Sequence, residues 1–281
     1  MSRFVDQFFT QITGPEDAPK LVFLHGVMGY AANWRRVARQ FEDRYQVLVY
    51  DSRGHGRSSH ADLISNPDAY TPEGLAEDLK GILDDLGWKK VTLIGHSMGG
   101  RVVYTFAAKY PAYVEKLVIV DIGPDRSLSS ASTALRVMES VPVPFASKRD
   151  AKEWFDTEFP KAFSDMPNAP ALAAWLYANI MEAEDGRAVW RFDEAGIRGA
   201  VASGRERERW QEIRQLQMPT LVIRGGRSKD LTRDVYERML QENPRIEGVE
   251  IPGVGHWVHS EAFEAFTAAL EAFLAKDASQ Y

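Results

Sequence analysis

The sequence predicts an α/β fold built on a doubly wound, mostly parallel sheet, with a helical cap inserted into it. Three observations support this prediction: short apolar runs recur along the chain, helical patterns lie between them, and one long segment interrupts the alternation. Strands that alternate with helices are typical of a parallel sheet that is covered by helices on both faces.

Five apolar runs rich in Val, Ile and Leu are the predicted strands. Such uniformly apolar runs suit parallel strands, because both faces of a parallel sheet are usually buried. Ligands of these sheets bind beyond the carboxyl ends of the strands, so we expect the functional residues among the Gly, Asp, Ser and His residues there. The runs are LVFLHG from Leu21, VLVYD from Val47, VTLIGHS from Val91, LVIVDIG from Leu117 and TLVIRGG from Thr220.

Two stretches carry apolar residues at the spacing of one helix face. Intervals of three and four residues predict amphipathic helices whose apolar side packs on the sheet. The first stripe consists of Leu75, Leu79, Ile82, Leu83 and Leu86, and the second of Phe263, Phe266, Leu270, Phe273 and Leu274.

The alternation breaks between about Asp125 and Gln217, where the chain is rich in Ala, Glu, Arg and Pro and has no strand-like run. We interpret residues 125–217 as a helical cap inserted into one α/β core domain, which residues 1–124 and 218–281 form. Most aromatic residues of the cap are expected to fill its own core, and a minority to line a pocket against the sheet. These aromatics are Trp154, Phe155, Phe159, Phe163, Trp175, Tyr177, Trp190 and Phe192.

Composition excludes several classes of function. The 281 residues include 44% hydrophobic and 26% charged residues, as in ordinary globular proteins, and no cysteine, which excludes disulfides and a thiolate nucleophile. The net charge of −6 argues against a nucleic-acid partner, because phosphate binding needs a concentrated basic face. Arg205, Arg207 and Arg209 alternate with glutamates, which predicts a solvated, salt-bridged face.

Neither a membrane segment nor a metal site is predicted. The N-terminal segment has no uninterrupted apolar stretch, and no apolar run approaches the roughly 20 residues that a membrane helix needs. We therefore expect a cytoplasmic protein with no membrane partner. No histidine pair has the i, i+4 spacing of a zinc site, so we expect no metal and no other cofactor.

Gly95-His96-Ser97-Met98-Gly99-Gly100 is the strongest local motif. It follows a predicted strand directly and precedes a helical segment, which is the context of a nucleophile elbow. Such a sharp turn presents the Ser97 hydroxyl at the top of the sheet and leaves the Met98 amide at a helix N-terminus, where it can stabilise an oxyanion. The alternative is an ordinary glycine-rich turn.

A serine nucleophile needs an adjacent base, and six histidines are available: 25, 55, 60, 96, 256 and 259. His256 follows the last strand-like run and precedes the C-terminal helix, so it lies on a loop at the expected active edge. We therefore predict His256 as the general base. His259 is expected at a helix start, and His96 is expected to pack or to form a local hydrogen bond; both are minor alternatives for the base.

The loop after the first apolar run is the expected source of the second oxyanion donor. His25-Gly26-Val27-Met28-Gly29 fits this role, with the Val27 amide as donor, because Gly26 allows the backbone to turn towards the nucleophile. The alternative is a simple connection between strand and helix.

Two aspartates compete for the role of the acid that orients His256. Asp121 ends LVIVD, and Asp230 lies in GGRSKDL after the next run. A carboxylate that closes an apolar strand is costly to bury unless it is paired, which favours Asp121. Asp121 has an alternative role in capping the turn Asp121-Ile122-Gly123-Pro124. Asp230 remains the second candidate, with an exposed turn residue as its alternative interpretation.

Outside residues 125–217, the chain resembles the α/β-hydrolases. HGVMGYAANW is similar to the HGxxG loop of that family followed by Asn-Trp, DSRGHGRS to its Asp-x-Arg-Gly-x-Gly-x-Ser loop, GHSMGG to its nucleophile elbow and GVGHWVH to its histidine loop. Four motifs in this order imply the α/β-hydrolase fold.

The resemblance also bears on the acid. Most of the family carries the acid shortly after the glycine that follows the seventh strand, where this chain has Gly225-Gly226-Arg227-Ser228. The YbfF-like branch of small esterases instead carries it in an Asp-Ile-x-Pro segment after the sixth strand, and a serine takes the vacated place. Asp121-Ile122-Gly123-Pro124 and Ser228 are similar to that branch, which implies Asp121 as the acid.

The expected function is hydrolysis of small to medium acyl esters through an acyl-enzyme, with a small-molecule acyl substrate as the only expected partner. Family relatives with a serine at the elbow also cleave carbon–carbon bonds in ring-fission diketones, open lactones or act as perhydrolases. A ligand receptor that keeps the triad is a further alternative from a different class. Dehalogenases and epoxide hydrolases place an aspartate where this chain has Ser97. Nothing in the sequence specifies an oligomeric state.

Overall fold

A seven-stranded sheet forms the centre of the computed structural model, which describes residues 3–126, 129–166 and 169–277. The strand order is β1-β3-β2-β4-β5-β8-β9; β1 is antiparallel to β3, and all other neighbours are parallel. The strands are β1 Thr10–Thr13, β2 Lys20–Leu24, β3 Gln46–Tyr50, β4 Val91–His96, β5 Val114–Val120, β8 Thr220–Gly225 and β9 Ile246–Ile251, and β6 Ile180–Glu182 and β7 Ala188–Trp190 form a separate hairpin.

The five predicted apolar runs are confirmed as β2, β3, β4, β5 and β8. The two edge strands are additional. In β9 only the terminal residues Ile246 and Ile251 are buried, and in β1 none is, because each edge strand faces solvent on one side. Neither strand therefore has the uniformly apolar sequence of a central parallel strand.

Helices cover both faces of the sheet. One apolar core lies under α2 and α3, and the other lies under α1 and α12, whose Phe266 and Phe273 are fully buried. None of the helices in the described ranges is long and apolar enough to cross a membrane. The helices are α1 Arg35–Ala38, α2 Pro72–Leu86, α3 Met98–Lys109, α4 Ser129–Ser140, α5 Lys148–Thr157, α6 Phe159–Ala162, α7 Ala169–Tyr177, α8 Glu194–Ser203, α9 Trp210–Gln215, α10 Arg233–Glu242, α11 Val258–Glu261 and α12 Phe263–Leu274, with short 3₁₀ helices at Phe4–Gln7, Ala31–Trp34 and Pro111–Tyr113.

The segment between β5 and β8 contains α4 to α9 and a third apolar core of its own. It also contains the β6–β7 hairpin, so the prediction of no strand within residues 125–217 is wrong. Each of these strands has three residues, too few for a periodic pattern. The last helix, α9, packs against α3 of the sheet region, and the Arg209 amide donates to the Pro124 carbonyl at 2.7 Å where the segment returns.

Candidate active site

Strained backbone marks one edge of the sheet. Among the described residues, three non-glycine residues have positive φ: Met28 at 60°, Ser97 at 54° and Asp121 at 53°. They lie just beyond the carboxyl ends of β2, β4 and β5. Such conformations cost of order 1–3 kcal/mol each and cluster at functional sites. The strain therefore points to the same edge that the sequence predicts.

The turn at Ser97 has the geometry expected of a nucleophile elbow. Ser97 joins β4 to α3 with φ 54° and ψ −116°, so the chain reverses within one residue. This turn needs glycine nearby: a Cβ on Gly99 would lie 2.5 Å from the Leu24 carbonyl oxygen of the neighbouring strand. Ser97 lines a cavity, and its Oγ has no hydrogen-bond partner among the described residues. Its hydroxyl is thus placed to meet a ligand.

In the part of the chain that the structure describes, two residues with unused backbone amides lie at the same cavity as Ser97. Val27 and Met98 both line a small cavity with it, and among the described residues neither amide donates a hydrogen bond within the protein. Met98 is the first residue of α3, where helix amides have no intrahelical acceptor. The loop that carries Val27 is held by His25, whose Nδ1 lies 2.8 Å from the Gly26 carbonyl and whose Nε2 accepts from the Ser52 amide at 2.9 Å.

His256 lies between two carboxylates. Its Nδ1 is 2.8 Å from Asp121 Oδ2 and 3.5 Å from Asp230 Oδ2. Burial lowers the pKa of His256, but the negative charges of Asp230 and Asp121 outweigh burial, and the pKa lies above its ordinary value. Both candidate acids are therefore at the histidine, and Asp121 is the one within hydrogen-bond distance. The other ring nitrogen, Nε2, has no hydrogen-bond partner among the described residues.

Asp121 is completely buried and is satisfied by three donors. Its Oδ1 accepts from the Gly225 amide at 2.8 Å, and its Oδ2 accepts from the Ser228 hydroxyl as well as from His256. Burial raises the pKa of Asp121, and these hydrogen bonds oppose that shift. Because all three donors favour the ionised form, the arrangement holds a carboxylate where an unpaired charge would be costly.

Ser228 also organises the loop that carries Asp230. Its Oγ accepts from the Asp230 amide at 3.1 Å while it donates to Asp121. Local sequence gives no sign of the contact with Asp121, because the Ser228 side chain acts on a carboxylate more than a hundred positions earlier in the chain. The interpretation of Asp230 as an exposed turn residue is wrong, since Asp230 is 5% exposed.

The other histidines of the site serve in packing. His96 Nε2 lies 2.9 Å from the His256 carbonyl oxygen, which anchors the loop of the predicted base. The His259 ring lies 4.5 Å from the Trp34 ring and 4.7 Å from the His96 ring, between centroids. Burial lowers the pKa of His259 to about 3 and that of His96 well below its ordinary value, so both are neutral near pH 7.

A large cavity of about 650 Å³ opens above Ser97 and His256. The segment between β5 and β8 covers it with apolar residues of α4 and α7, among them Val137, Leu172 and Trp175, and the histidine loop contributes Trp257. Of the eight aromatics singled out in that segment, Trp175 lines this cavity, while others such as Phe155 and Phe159 are buried in the core of the segment.

Comparisons with known proteins agree with this geometry. A family model described as alpha/beta hydrolase fold matches residues 19–263. The chain is 30% identical to sn-1-specific diacylglycerol lipase ABHD11 of Mus musculus over 276 residues, which cover 95% of this chain and 84% of that protein. It is 26% identical to esterase YbfF of Escherichia coli (strain K12) over 255 residues, which cover 90% of this chain and 92% of that protein.

Solved structures are similar over nearly the full length. One described as a marine microorganism esterase has 28% sequence identity and a TM-score of 0.78, and the match covers 95% of this chain and 98% of that one. The family model covers most of the chain, and the relatives match both in sequence and in fold. This chain therefore belongs to the α/β-hydrolase fold family and is a hydrolase.

Proposed function

We propose that the protein is a carboxylesterase for small to medium acyl esters, with Ser97 as nucleophile, His256 as general base and Asp121 as the acid that orients it. The hydrogen bond of 2.8 Å between His256 Nδ1 and Asp121 Oδ2 is the observation that carries the proposal. A proton held on Nδ1 by this carboxylate leaves Nε2 as the basic nitrogen, and His256 and Ser97 line the same cavity.

Acylation begins when Ser97 Oγ attacks the ester carbonyl carbon and its proton moves to His256 Nε2. The carbonyl oxygen becomes an oxyanion, which the amides of Val27 and Met98 stabilise by hydrogen bonds. The tetrahedral intermediate then expels the alkoxide, which takes the proton from His256 and leaves as the alcohol. Asp121 remains ionised and stabilises the imidazolium that forms in between.

Deacylation repeats these steps with water. A water molecule in the large cavity gives a proton to His256 Nε2 while its oxygen attacks the acyl carbon. The second tetrahedral intermediate expels Ser97 Oγ, which recovers the proton, and the carboxylic acid leaves. Similarity to a diacylglycerol lipase and to an esterase supports an ester substrate, and the apolar lining of the large cavity supports an apolar group in it.

Labelling with a fluorescent fluorophosphonate tests the nucleophile. We expect wild type and the exposed-site control Ser260→Ala to be labelled, and Ser97→Ala to remain unlabelled while its circular dichroism and melting temperature stay close to those of wild type. Labelling that persists in Ser97→Ala would refute the assignment.

A substrate panel tests the reaction class. We expect multiple turnovers on p-nitrophenyl acetate and p-nitrophenyl butyrate and much slower reaction with a ring-fission diketone and a γ-lactone. A diketone or lactone that reacts faster than every ester would replace the carboxylesterase proposal. A single turnover of every substrate would favour a receptor.

A further inference from the structure

Two cavities meet at Ser97, and their linings differ. The large cavity contains His256, whereas the small one contains Arg101 and Arg205 and lacks His256. The small cavity lies between α3 and α8 and is also lined by Val27 and Met98, the residues of the proposed oxyanion hole. The structure therefore offers the two halves of a bound ester chemically different surroundings.

Proton transfer decides which half of the ester enters which cavity. The alcohol oxygen must take a proton from His256, so the leaving group lies on the side of that residue, in the large cavity. The acyl chain extends from the same carbonyl carbon in the other direction. That direction is the small cavity, because it borders Ser97 and the oxyanion amides without His256.

Arg101 is a buried cation that lines the small cavity, where the acyl chain would lie. It lies one helical turn after Ser97 in α3, and its amide donates to the Ser97 carbonyl at 3.1 Å. Side chains of a helix lean towards its N-terminus, and Arg101 lines the small cavity together with Ser97. Arg101 is nevertheless only 3% exposed.

The acceptors around Arg101 are neutral. Its Nη1 donates to the Tyr104 hydroxyl at 3.4 Å and its Nη2 to the Asp125 carbonyl at 3.1 Å. Within the described residues no carboxylate oxygen lies within 4.0 Å of this guanidinium. A buried cation without a paired anion is costly, so an anion in the adjoining cavity would be stabilised by it.

Arg205 adds positive charge to the same cavity. Burial and the nearby charge of Arg101 lower its pKa to about 10, while the charges of Asp230 and Asp125 act in the opposite direction. Arg205 therefore stays charged near pH 7, and part of its charge is balanced by those aspartates. Arg101 is therefore the main positive charge that an anionic ligand in the small cavity would contact.

The volume of the small cavity limits what can bind there. It measures about 30 Å³, which corresponds to roughly two water molecules. A carboxylate places two oxygens close together and matches such a space, which Ser97 and Arg101 both line. A short acyl chain that ends in a carboxylate would bridge Ser97 and Arg101.

We propose that the small cavity is an acyl subsite for a carboxylate, and that Arg101 makes the protein selective for half-esters of short dicarboxylic acids. This inference rests on the proposed esterase function and names its substrate class. Removal of the charge of Arg101 removes the selectivity without touching Ser97, His256 or Asp121.

The test compares two esters that share the alcohol and the shape of the acyl group. Monoethyl succinate carries a terminal carboxylate where ethyl 4-methylpentanoate carries an isopropyl group, and ethanol release reports both. We expect wild type to favour monoethyl succinate in kcat/KM by about 10-fold or more, since a hydrogen-bonded ion pair is worth about this much. Arg101→Met should abolish the preference, Arg101→Lys should retain part of it, and the exposed-site control Arg214→Met should leave it unchanged.

The position of the carboxylate provides a second comparison. An ester of pentanoic acid with glycolic acid carries its carboxylate on the alcohol side, and Arg101→Met should not reduce its hydrolysis relative to ethyl pentanoate. Each ratio is measured within one protein preparation, so partial unfolding of a variant does not change it. If Arg101→Met does not fold, the inference is tested by the kcat/KM ratio of the two ethyl esters in wild type and in Arg101→Lys.

Three results would overturn the inference. If wild type has equal kcat/KM for ethyl 4-methylpentanoate and monoethyl succinate, the carboxylate subsite is contradicted while the esterase function stays intact. A preference that survives in Arg101→Met contradicts the role of Arg101. No hydrolysis of any of these esters contradicts the proposed function itself, and the inference falls with it.

Discussion

Asp230 Oδ2 lies 3.5 Å from His256 Nδ1, the ring nitrogen whose hydrogen bond goes to Asp121. Two carboxylates thus act on one nitrogen in different ways. In the proposed mechanism Asp121 holds the proton of Nδ1 by its hydrogen bond and fixes the ring, whereas Asp230 contributes its charge from 3.5 Å. The two roles can be separated because one depends on geometry and the other on charge.

Replacing each aspartate by asparagine should show this difference. Asp121→Asn keeps the shape but favours the wrong imidazole tautomer, so we expect kcat to fall by about 100- to 10,000-fold. Asp230→Asn should reduce kcat by less than about 10-fold, because the bond to Asp121 remains. Steady-state kinetics on p-nitrophenyl butyrate would measure both. A larger loss in Asp230→Asn would make Asp230 the orienting acid and Asp121 a structural residue.

The pH dependence should report the charge of Asp230. His256 acts as a base when neutral, so kcat/KM rises with pH through the pKa of His256, which the carboxylates of Asp230 and Asp121 raise. Removal of one negative charge in Asp230→Asn lowers that pKa, and the rising limb should shift to lower pH. The profile of Ser260→Ala should superimpose on that of wild type. A limb that shifts to higher pH in Asp230→Asn would contradict the electrostatic role.

Ser228 should act as a positioning residue through Asp121. Ser228→Ala removes one of the donors to a fully buried carboxylate, and we expect kcat to fall about 5- to 30-fold with a smaller change in KM. The double variant Ser228→Ala/Asp121→Asn distinguishes this role from general destabilisation. Its kcat should be close to that of Asp121→Asn alone, because Ser228 then has no carboxylate to hold. Fully additive losses would show that Ser228 acts independently of Asp121.

The central strands, the elbow and the histidine loop were predictable because each has a local sequence signal. A uniformly apolar run followed by glycine or aspartate identifies a buried parallel strand, and Ser97 and His256 lie directly after such runs or on the loop beyond them. The edge strand β9 gives no such signal, since four of its six residues are only partly buried or exposed.

The contacts of the acid could not be read from the sequence. Ser228, Gly225 and Asp230 reach Asp121 and His256 because β5 and β8 are neighbours in the sheet although the whole segment 125–217 separates them in the chain. Local spacing contains no information about such a pairing. The choice between Asp121 and Asp230 therefore depended on the cost of burial and on a family resemblance.

For Arg205 and Arg209, the sequence predicts more solvent exposure than the structure shows. Alternation with glutamates predicts a solvated face, and Arg207, which is half exposed, does pair with Glu73 and with the buried Glu212. Arg209, however, is 3% exposed and pairs with Glu73, and Arg205 is half-buried beside the small cavity. The prediction is wrong for these two residues, because the chain turns inward there to meet Pro124 and α3.

Buried neutral histidines should make the fold sensitive to acid. Burial lowers the pKa of His25 to about 4 and those of His55 and His259 to about 3. The unfolded chain binds protons at these residues below about pH 6.5, and the folded chain does not, so stability falls as pH decreases from about 6.5 to the folded pKa values. The loss should amount to about 1.4 kcal/mol per pH unit for each histidine.

His259→Phe tests this expectation at one position. The His259 ring packs against Trp34, His96 and Phe266, its Nδ1 is buried without a hydrogen-bond partner among the described residues, and a phenyl ring preserves the contacts. The free energy of urea unfolding of the variant minus that of wild type is the quantity to compare at the two pH values. This difference should be about 2 kcal/mol more positive at pH 5 than at pH 8. The exposed-site control His60→Gln should show no such pH-dependent gain. Equal stability differences at pH 5 and pH 8 would show that His259 does not carry this acid sensitivity.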